Sequence, residues 1–199
     1  MKYNIKITPR TFHFKQPAGT SRGLYTERQS WLLELTSPDA PDRKGIGECA
    51  PLPDLSCDYG ADYAERLRAF CDTFECEGAV DYEKMREYPS MLFGLETALA
   101  HFNSGTTAFF DTPFSRGEEG IPINGLVWMG SYEEMLGRMV EKIRQGFHCV
   151  KLKVGAIDFD HELDLVKRIR SRFSPSEIEL RLDANGGFTP EDALYKLEL

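Results

Sequence analysis

Two lysines and an aspartate near the C-terminal end of the sequence have the types and the spacing of a proton-transfer site. Lys151 and Lys153 alternate with apolar residues in the segment 149–155, and Asp183 lies in a second alternating segment, 178–186. Because successive side chains of a β-strand point to opposite faces, both lysines share one face of the first predicted strand. Asp183 lies on the corresponding face of the second predicted strand.

These residue types suit the removal of a proton next to a carboxylate. A partly buried lysine beside a second positive charge gives up its proton more easily, because burial and the neighbouring charge both disfavour the ammonium. Lys153 beside Lys151 therefore suits a general base near neutral pH. Asp183 suits a hard divalent cation, most naturally Mg²⁺, which would neutralise the anion that forms. The sequence supplies one clear ligand, so further carboxylates are expected from elsewhere.

The residues between the two strands predict the element that positions them. Leu163, Val166 and Ile169 have helical spacing, so the segment 149–186 predicts a strand, a helix and a strand. A helical crossover makes the two strands parallel, and in a β/α barrel the C-terminal ends of the strands open into the active site. The alternative is an antiparallel sheet with one wetted face, on which the lysines are ordinary solvated charges. The helical crossover favours the barrel.

The whole sequence predicts an α+β domain at residues 1–120 and the first part of a β/α (TIM-like) barrel at residues 121–199. The elements predicted for the first domain are three antiparallel strands and two helices, at 2–7, 30–36, 44–49, 59–74 and 91–103. Asp58 is the expected cap of the helix at 59–74, and Gly105 is the expected stop of the helix at 91–103. The barrel part predicts alternating strands and helices at 121–128, 131–145, 149–155, 158–173 and 178–186, with a further helix from 190. Ser131 and Glu134 are the expected capping box of the helix at 131–145. A complete β/α barrel needs about 250 residues, so we expect an incomplete barrel and a coding region that continues.

The composition limits the classes of partner. A net charge of −8, without a dense run of lysine or arginine, argues against nucleic acid. The N-terminus has no signal-peptide core, and no apolar stretch is long enough to span a membrane, so we expect a cytoplasmic protein with no membrane partner. The proton-transfer chemistry described above predicts a small-molecule carboxylate substrate. Five cysteines without C-x-x-C spacing disfavour a disulfide framework and a structural zinc site. The oligomeric state is left open.

Two loops of the first domain could contact a substrate. The segment 16–23 is polar and rich in glycine, which suits a mobile lid from which Arg22 could meet a carboxylate. Its alternative interpretation is an ordinary surface turn. The segment 45–56 combines flexible glycines with a stiff Pro-Leu-Pro corner, and it could equally be the exit of a hairpin.

Four motifs, in this order, resemble the enolase superfamily and, within it, the muconate-lactonizing-type subgroup. They are G-x-G-E-x-A-P-L-P-x-x-S at 45–56, S-x-x-F-G-L-E-x-A-L at 90–99, the K-x-K strand, and R-x-D-A-N at 181–185. The resemblance implies the architecture of that superfamily, with a capping domain over a modified β/α barrel. It also implies a Mg²⁺-dependent enzyme acting on a small carboxylate.

The resemblance further implies a role for individual residues. Lys153 would remove the α-proton, Lys151 would tune it, and Asp183 would be the first of three Mg²⁺ ligands. The expected substrate contacts are Ser21, Arg22, Leu52, Pro53, Ser56, Arg181 and Asn185. The implied reaction is a lyase reaction that dehydrates a cyclohexadiene carboxylate to an aromatic product, with the same lysine returning its proton to the departing hydroxyl.

Two other functions are left open. An N-acylamino-acid racemase or dipeptide epimerase of the same superfamily needs lysines on both faces of its substrate, whereas dehydration can proceed with one. A non-catalytic structural or interaction module is the alternative from another class. The remaining metal ligands of the family lie on later barrel strands, so the 199-residue chain alone is expected to be inactive.

Overall fold

The computed structural model describes residues 1–20, 23–155, 158–184 and 186–199. Three expected substrate contacts, Ser21, Arg22 and Asn185, lie outside the described residues. The chain divides into two compact units, Met1–Gln16 with Thr26–Gly120 and Pro17–Tyr25 with Ile121–Leu199.

The first half of the chain forms a three-stranded sheet and then helices. Its elements are β1 (Asn4–Thr20), β2 (Gly23–Thr36), β3 (Lys44–Cys49), α1 (Tyr63–Glu77), α2 (Tyr82–Met85) and α3 (Pro89–Ser104). The sheet order is β1-β2-β3, and β2 pairs with β3 in antiparallel fashion. Strands β1 and β2 are much longer than the predicted strands at 2–7 and 30–36. Both continue beyond the alternating apolar residues into the polar segment that lies between them in the sequence.

Glycine lets β3 lie directly against α3. Gly45 and Gly47 occupy the buried face of β3 and lie against the backbone of Gly94 and Ala98 in α3. A Cβ atom on Gly47 would lie 1.9 Å from the carbonyl oxygen of Gly94. The strand predicted at 44–49 is thereby confirmed. Its two glycines, which the loop interpretation of 45–56 treated as flexible, permit a close contact between backbones.

The start of the first helix differs from the prediction. Helix α1 begins at Tyr63, with Asp62 at its N-cap position, and Asp58 does not cap it. The carboxylate of Asp58 instead accepts hydrogen bonds from the backbone N–H and the hydroxyl of Ser90, at 2.8 and 2.6 Å. Asp58 thus accepts a hydrogen bond from a free backbone N–H in the first turn of α3, a helix that begins about thirty residues later. The end of α3 is as predicted, with Gly105 in the left-handed conformation.

The second unit alternates strands with helices. Its elements are β4 (Gly125–Val127), α4 (Tyr132–Arg144), β5 (Cys149–Lys153), α5 (Phe159–Arg170), β6 (Glu179–Asp183) and α6 (Pro190–Glu198). The sheet order is β4-β5-β6, and both pairs are parallel, which confirms the predicted crossovers. The predicted capping box of Ser131 and Glu134 opens α4, and a similar box of Thr189 and Asp192 opens α6.

The two faces of this parallel sheet have different surroundings. On one face, Val150 and Leu152 are fully buried in a core that α4 and α5 complete with Met135, Met139, Leu165 and Ile169. Leu182, expected on the same apolar face of β6, is 55% exposed, because α6 contributes no buried residue there. The sheet is thus the first part of a β/α barrel, well covered over β4 and β5 and open near β6.

Among the residues described, none of the helices has the length and apolar character needed to cross a membrane.

Candidate active site

The strand register brings the predicted site residues onto one face of the second unit. Lys151 lies opposite Leu126 of β4 and opposite Arg181 of β6, while Lys153 lies opposite Asp183. The apolar residues between them point to the other face, towards the helices. The C-terminal ends of β5 and β6 therefore present two lysines, an arginine and an aspartate side by side, on the face that lines the interior of a β/α barrel.

Lys151 and Asp183 form an ion pair across the two strands. The Nζ atom of Lys151 lies 2.7 Å from Oδ2 of Asp183, and the two side chains are 35% and 27% exposed. In such a partly exposed position an ion pair stabilises the fold by about 1 kcal/mol or less. The expectation that Lys151 tunes Lys153 stays a prediction.

Lys153 lies on the face of an aromatic ring. Its Nζ atom is 4.4 Å from the centre of the Trp128 ring, within the range of a cation–π interaction. Trp128 follows the last residue of β4, and continuing the parallel register by one residue places it beside Lys153. Trp128 was not among the predicted site residues, although a large aromatic residue at the end of the preceding predicted strand was a signal for it.

Arg181 takes part in an ion pair on its own strand. Its Nε donates a hydrogen bond of 2.6 Å to Glu179, and this bond lowers the pKa of the Glu179 carboxyl. Both side chains are exposed on the site face. Arg181 therefore lies beside the lysines, as predicted, with its guanidinium directed along the strand. Its contact with a substrate stays a prediction.

Backbone contacts hold the ends of β5 and β6 together. The N–H of Val154 donates to the carbonyl of Asp183 at 2.9 Å, and the N–H of Gly155 donates to the Glu162 carboxylate at 2.7 Å. Gly155 has a φ of +90°, a conformation that glycine adopts without strain. Glu162 is only 3% exposed and belongs to α5. These contacts fix the direction in which the backbone leaves the K-x-K strand. They therefore also fix the backbone atoms from which the two lysine side chains extend.

The loop at 50–56, in the first unit, closes on itself. The N–H of Leu52 donates to Oγ of Ser56 at 2.9 Å, and the N–H of Ser56 donates back to the carbonyl of Leu52 at 2.9 Å. Asp54, at the turn, has a φ of +61°. The hydroxyl of Ser56 therefore has a structural role in shaping this loop. The substrate contacts expected of Leu52, Pro53 and Ser56 stay predictions.

Asp183 fits a divalent metal as a single ligand. Its carboxylate provides hard oxygen atoms of the kind that Mg²⁺ prefers, at the C-terminal end of a parallel strand. The part of the chain that the structure describes contains no group of three or more histidine, cysteine, aspartate or glutamate side chains able to hold a metal. Asp183 therefore fits as one of the several oxygen ligands that an octahedral Mg²⁺ site requires.

Two family models match the chain. The model described as "MenC, N-terminal domain" matches residues 20–102, and the model "Enolase C-terminal domain-like" matches residues 134–198. Among curated proteins, o-succinylbenzoate synthase of Desulfotalea psychrophila is 35% identical over 93% of this chain and 58% of its own length. The L-Ala-D/L-Glu epimerase of Bacillus subtilis is 38% identical over 34% of this chain and 18% of its own length. The chain thus spans little more than half of the first of these relatives.

Solved structures agree with these matches. The crystal structure of MenC from Desulfotalea psychrophila is 30% identical, has a TM-score of 0.74, and is matched over 100% of this chain and 62% of its own. The o-succinylbenzoate synthase of Thermosynechococcus elongatus, solved with Mg in its active site, is 23% identical with a TM-score of 0.67. It is matched over 100% of this chain and 56% of its own, and at that identity it supports the fold alone. The fold predicted from the sequence, a capping domain followed by part of an enolase-type barrel, is confirmed.

Proposed function

We propose that this chain, which has the fold of the enolase superfamily and the sequence features of its o-succinylbenzoate synthases, belongs to an enzyme of that activity. The reaction is the Mg²⁺-dependent dehydration of a cyclohexadiene carboxylate to o-succinylbenzoate, a step of menaquinone biosynthesis. The match to the Desulfotalea psychrophila synthase, which extends over 93% of this chain, carries the proposal. The grouping of Lys151, Lys153 and Asp183 on one face of the sheet supports it.

Lys153 is the base in this mechanism. Its neutral amine takes the proton from the carbon next to the substrate carboxylate, and the electron pair of that C–H bond remains on the substrate. The resulting ammonium then gives the same proton to the departing hydroxyl, which leaves as water while the ring becomes aromatic. One lysine therefore serves first as base and then as acid, and protons balance without a second catalytic group.

Lys151 and Asp183 support the developing charge. Lys151 provides a positive charge on the same face of β5, two residues before the base. From there it can contact the substrate carboxylate while it remains paired with Asp183. Asp183 would hold Mg²⁺ as one of several oxygen ligands. When bound, the cation supplies positive charge that stabilises the anionic form of the substrate. We propose that further carboxylate ligands come from the additional length that the relatives possess.

A dipeptide epimerase is the second candidate. The observation that favours it is the 38% identity of 68 residues to the Bacillus subtilis epimerase. Epimerisation needs an acid on the substrate face opposite Lys153, whereas dehydration needs Lys153 alone. The longer match to o-succinylbenzoate synthases favours dehydration.

The test uses the protein expressed from its complete gene, with Mg²⁺. The cyclohexadiene carboxylate and an N-acylamino acid or dipeptide are offered separately, with ultraviolet absorbance following the first and optical rotation the second. We expect rapid dehydration and weak or no racemisation. Lys167→Ala, which removes an exposed lysine of α5, serves as the matched control for variants of Lys153. Rapid racemisation without dehydration would reject the synthase assignment, and the absence of both reactions would reject the enzyme class.

A further inference from the structure

Trp128 is held in a defined place by the helix that follows it. The side chain of Arg138 in α4 donates from one Nη1 atom to the carbonyl oxygens of Trp128 and Met129, at 3.2 Å each. Arg138 in turn lies 3.7 Å from Glu134, the residue that completes the capping box of α4. The backbone at the end of β4 is therefore fixed to the first turns of α4, and the indole is displayed from an anchored strand end.

The indole faces the site rather than the core. Trp128 is 41% exposed, whereas Val127, its neighbour on the opposite face, is fully buried. The ring lies under the Nζ atom of Lys153, at 4.4 Å. The other lysine of the motif, Lys151, has the Asp183 carboxylate as its partner. The two lysines thus have different partners, an anion for Lys151 and an aromatic face for Lys153.

We propose that Trp128 is a positioning residue for Lys153, holding the end of that side chain over the indole face in the place from which it exchanges a proton with substrate. This inference rests on the proposed role of Lys153 as the base. As Nζ takes the α-proton it becomes positively charged, and the negative face of the indole stabilises that charge. The ring also restricts the rotamers of a flexible four-carbon side chain, so the amine spends more time at the reacting carbon.

The first test is spectroscopic and does not depend on activity. Lysine amines of the chain are reductively methylated with ¹³C-formaldehyde, and the Lys153 resonance is assigned by its loss in Lys153→Arg. We expect this resonance to lie upfield of the other methylated lysines because of the indole ring current. It should move to the ordinary position in Trp128→Leu and keep part of its displacement in Trp128→Phe. Phe147→Leu, which removes the ring beneath Lys142, is the matched control and should leave it unchanged.

The second test is kinetic, with the protein expressed from its complete gene. Trp128→Leu should lower kcat about fivefold, the size of a cation–π interaction at a partly exposed site. KM should change little, and Trp128→Phe should restore much of the rate. A loss of thermal stability with unchanged kcat would mean that Trp128 is merely structural and would overturn the proposal.

The two tests separate this proposal from the proposed function. An unshifted Lys153 resonance in the parent chain would overturn the positioning role without any variant. If the parent protein shows no turnover, the proposed function fails, and the position of the Lys153 resonance still decides whether Trp128 holds that side chain.

Discussion

Replacement of Gly47 by alanine should sharply destabilise the first unit. The new Cβ atom would lie 1.9 Å from the carbonyl oxygen of Gly94, and an ordinary contact requires about 3.4 Å, so β3 and α3 would have to separate by about 1.5 Å. The obstacle is the backbone of a helix, which cannot rotate away as a side chain can. Overpacking costs typically about 1–3 kcal/mol, and we expect at least about 3 kcal/mol here.

The assay is urea unfolding followed by the fluorescence of Trp31. This residue is buried in the first unit and packs against the tilted ring of Tyr63, with ring centres 4.3 Å apart, so its emission reports unfolding of that unit. A Trp128→Phe background removes the signal of the other tryptophan. With an m-value of about 2 kcal/mol/M, the loss corresponds to a midpoint lower by about 1.5 M.

Gly120→Ala is the matched control for Gly47→Ala, since a Cβ atom at Gly120 would meet nothing within 4 Å. Its free energy of unfolding should change by less than about 0.5 kcal/mol. An unchanged midpoint for Gly47→Ala would refute the argument that glycine is needed for the contact of β3 with α3.

Three further predictions concern the site and the cysteines. Lys153→Ala should slow α-proton exchange in D₂O by about 10²-fold or more while leaving substrate binding largely intact, because a base acts mainly in the transition state; wild-type exchange would show that another group is the base. Asp183→Asn should weaken Mg²⁺ binding in calorimetry, while loss of its pair with Lys151 lowers the free energy of unfolding by about 1 kcal/mol or less; unchanged Mg²⁺ affinity would exclude Asp183 as a ligand. At pH 8, iodoacetamide should modify the exposed Cys57 and Cys76 and spare Cys71, whose burial raises its pKa to about 12. The stability that the neutral Cys71 thiol contributes is complete below pH 9 and is lost as the pH rises towards 12, because the pKa is higher in the folded state. Equal labelling of Cys71 and Cys57, measured by mass spectrometry, would contradict the burial argument.

Signals that act within a few residues were sufficient to predict most elements. The capping box of Ser131 and Glu134 is local, as is the alternation of Lys151 and Lys153 with apolar residues, and both predictions were confirmed. The parallel pairing followed from the helix between the strands. Strand and helix ends were less predictable where hydrogen bonds between distant segments decide them.

Asp58 illustrates that limit. The sequence analysis assigned it to the helix that follows it directly, because a carboxylate before an apolar run is a typical N-cap. In the folded chain its carboxylate instead accepts a hydrogen bond from the backbone N–H of Ser90, thirty-two residues later. Such a contact depends on how α1 and α3 pack, and the positions of residues 58 and 90 in the sequence do not specify it.

The sequence by itself determined the kinds of chemical group at the site and the strands that carry them. Alternation put Lys151, Lys153 and Asp183 on one face, since the side-chain period of a strand is two residues. The tertiary structure decided their partners: the register of β4, β5 and β6 placed Lys153 between Trp128 and Asp183, and the side chain of Lys151 reaches diagonally across to Asp183. Register is a property of the assembled sheet, because it depends on how the intervening helices pack and on where each strand begins.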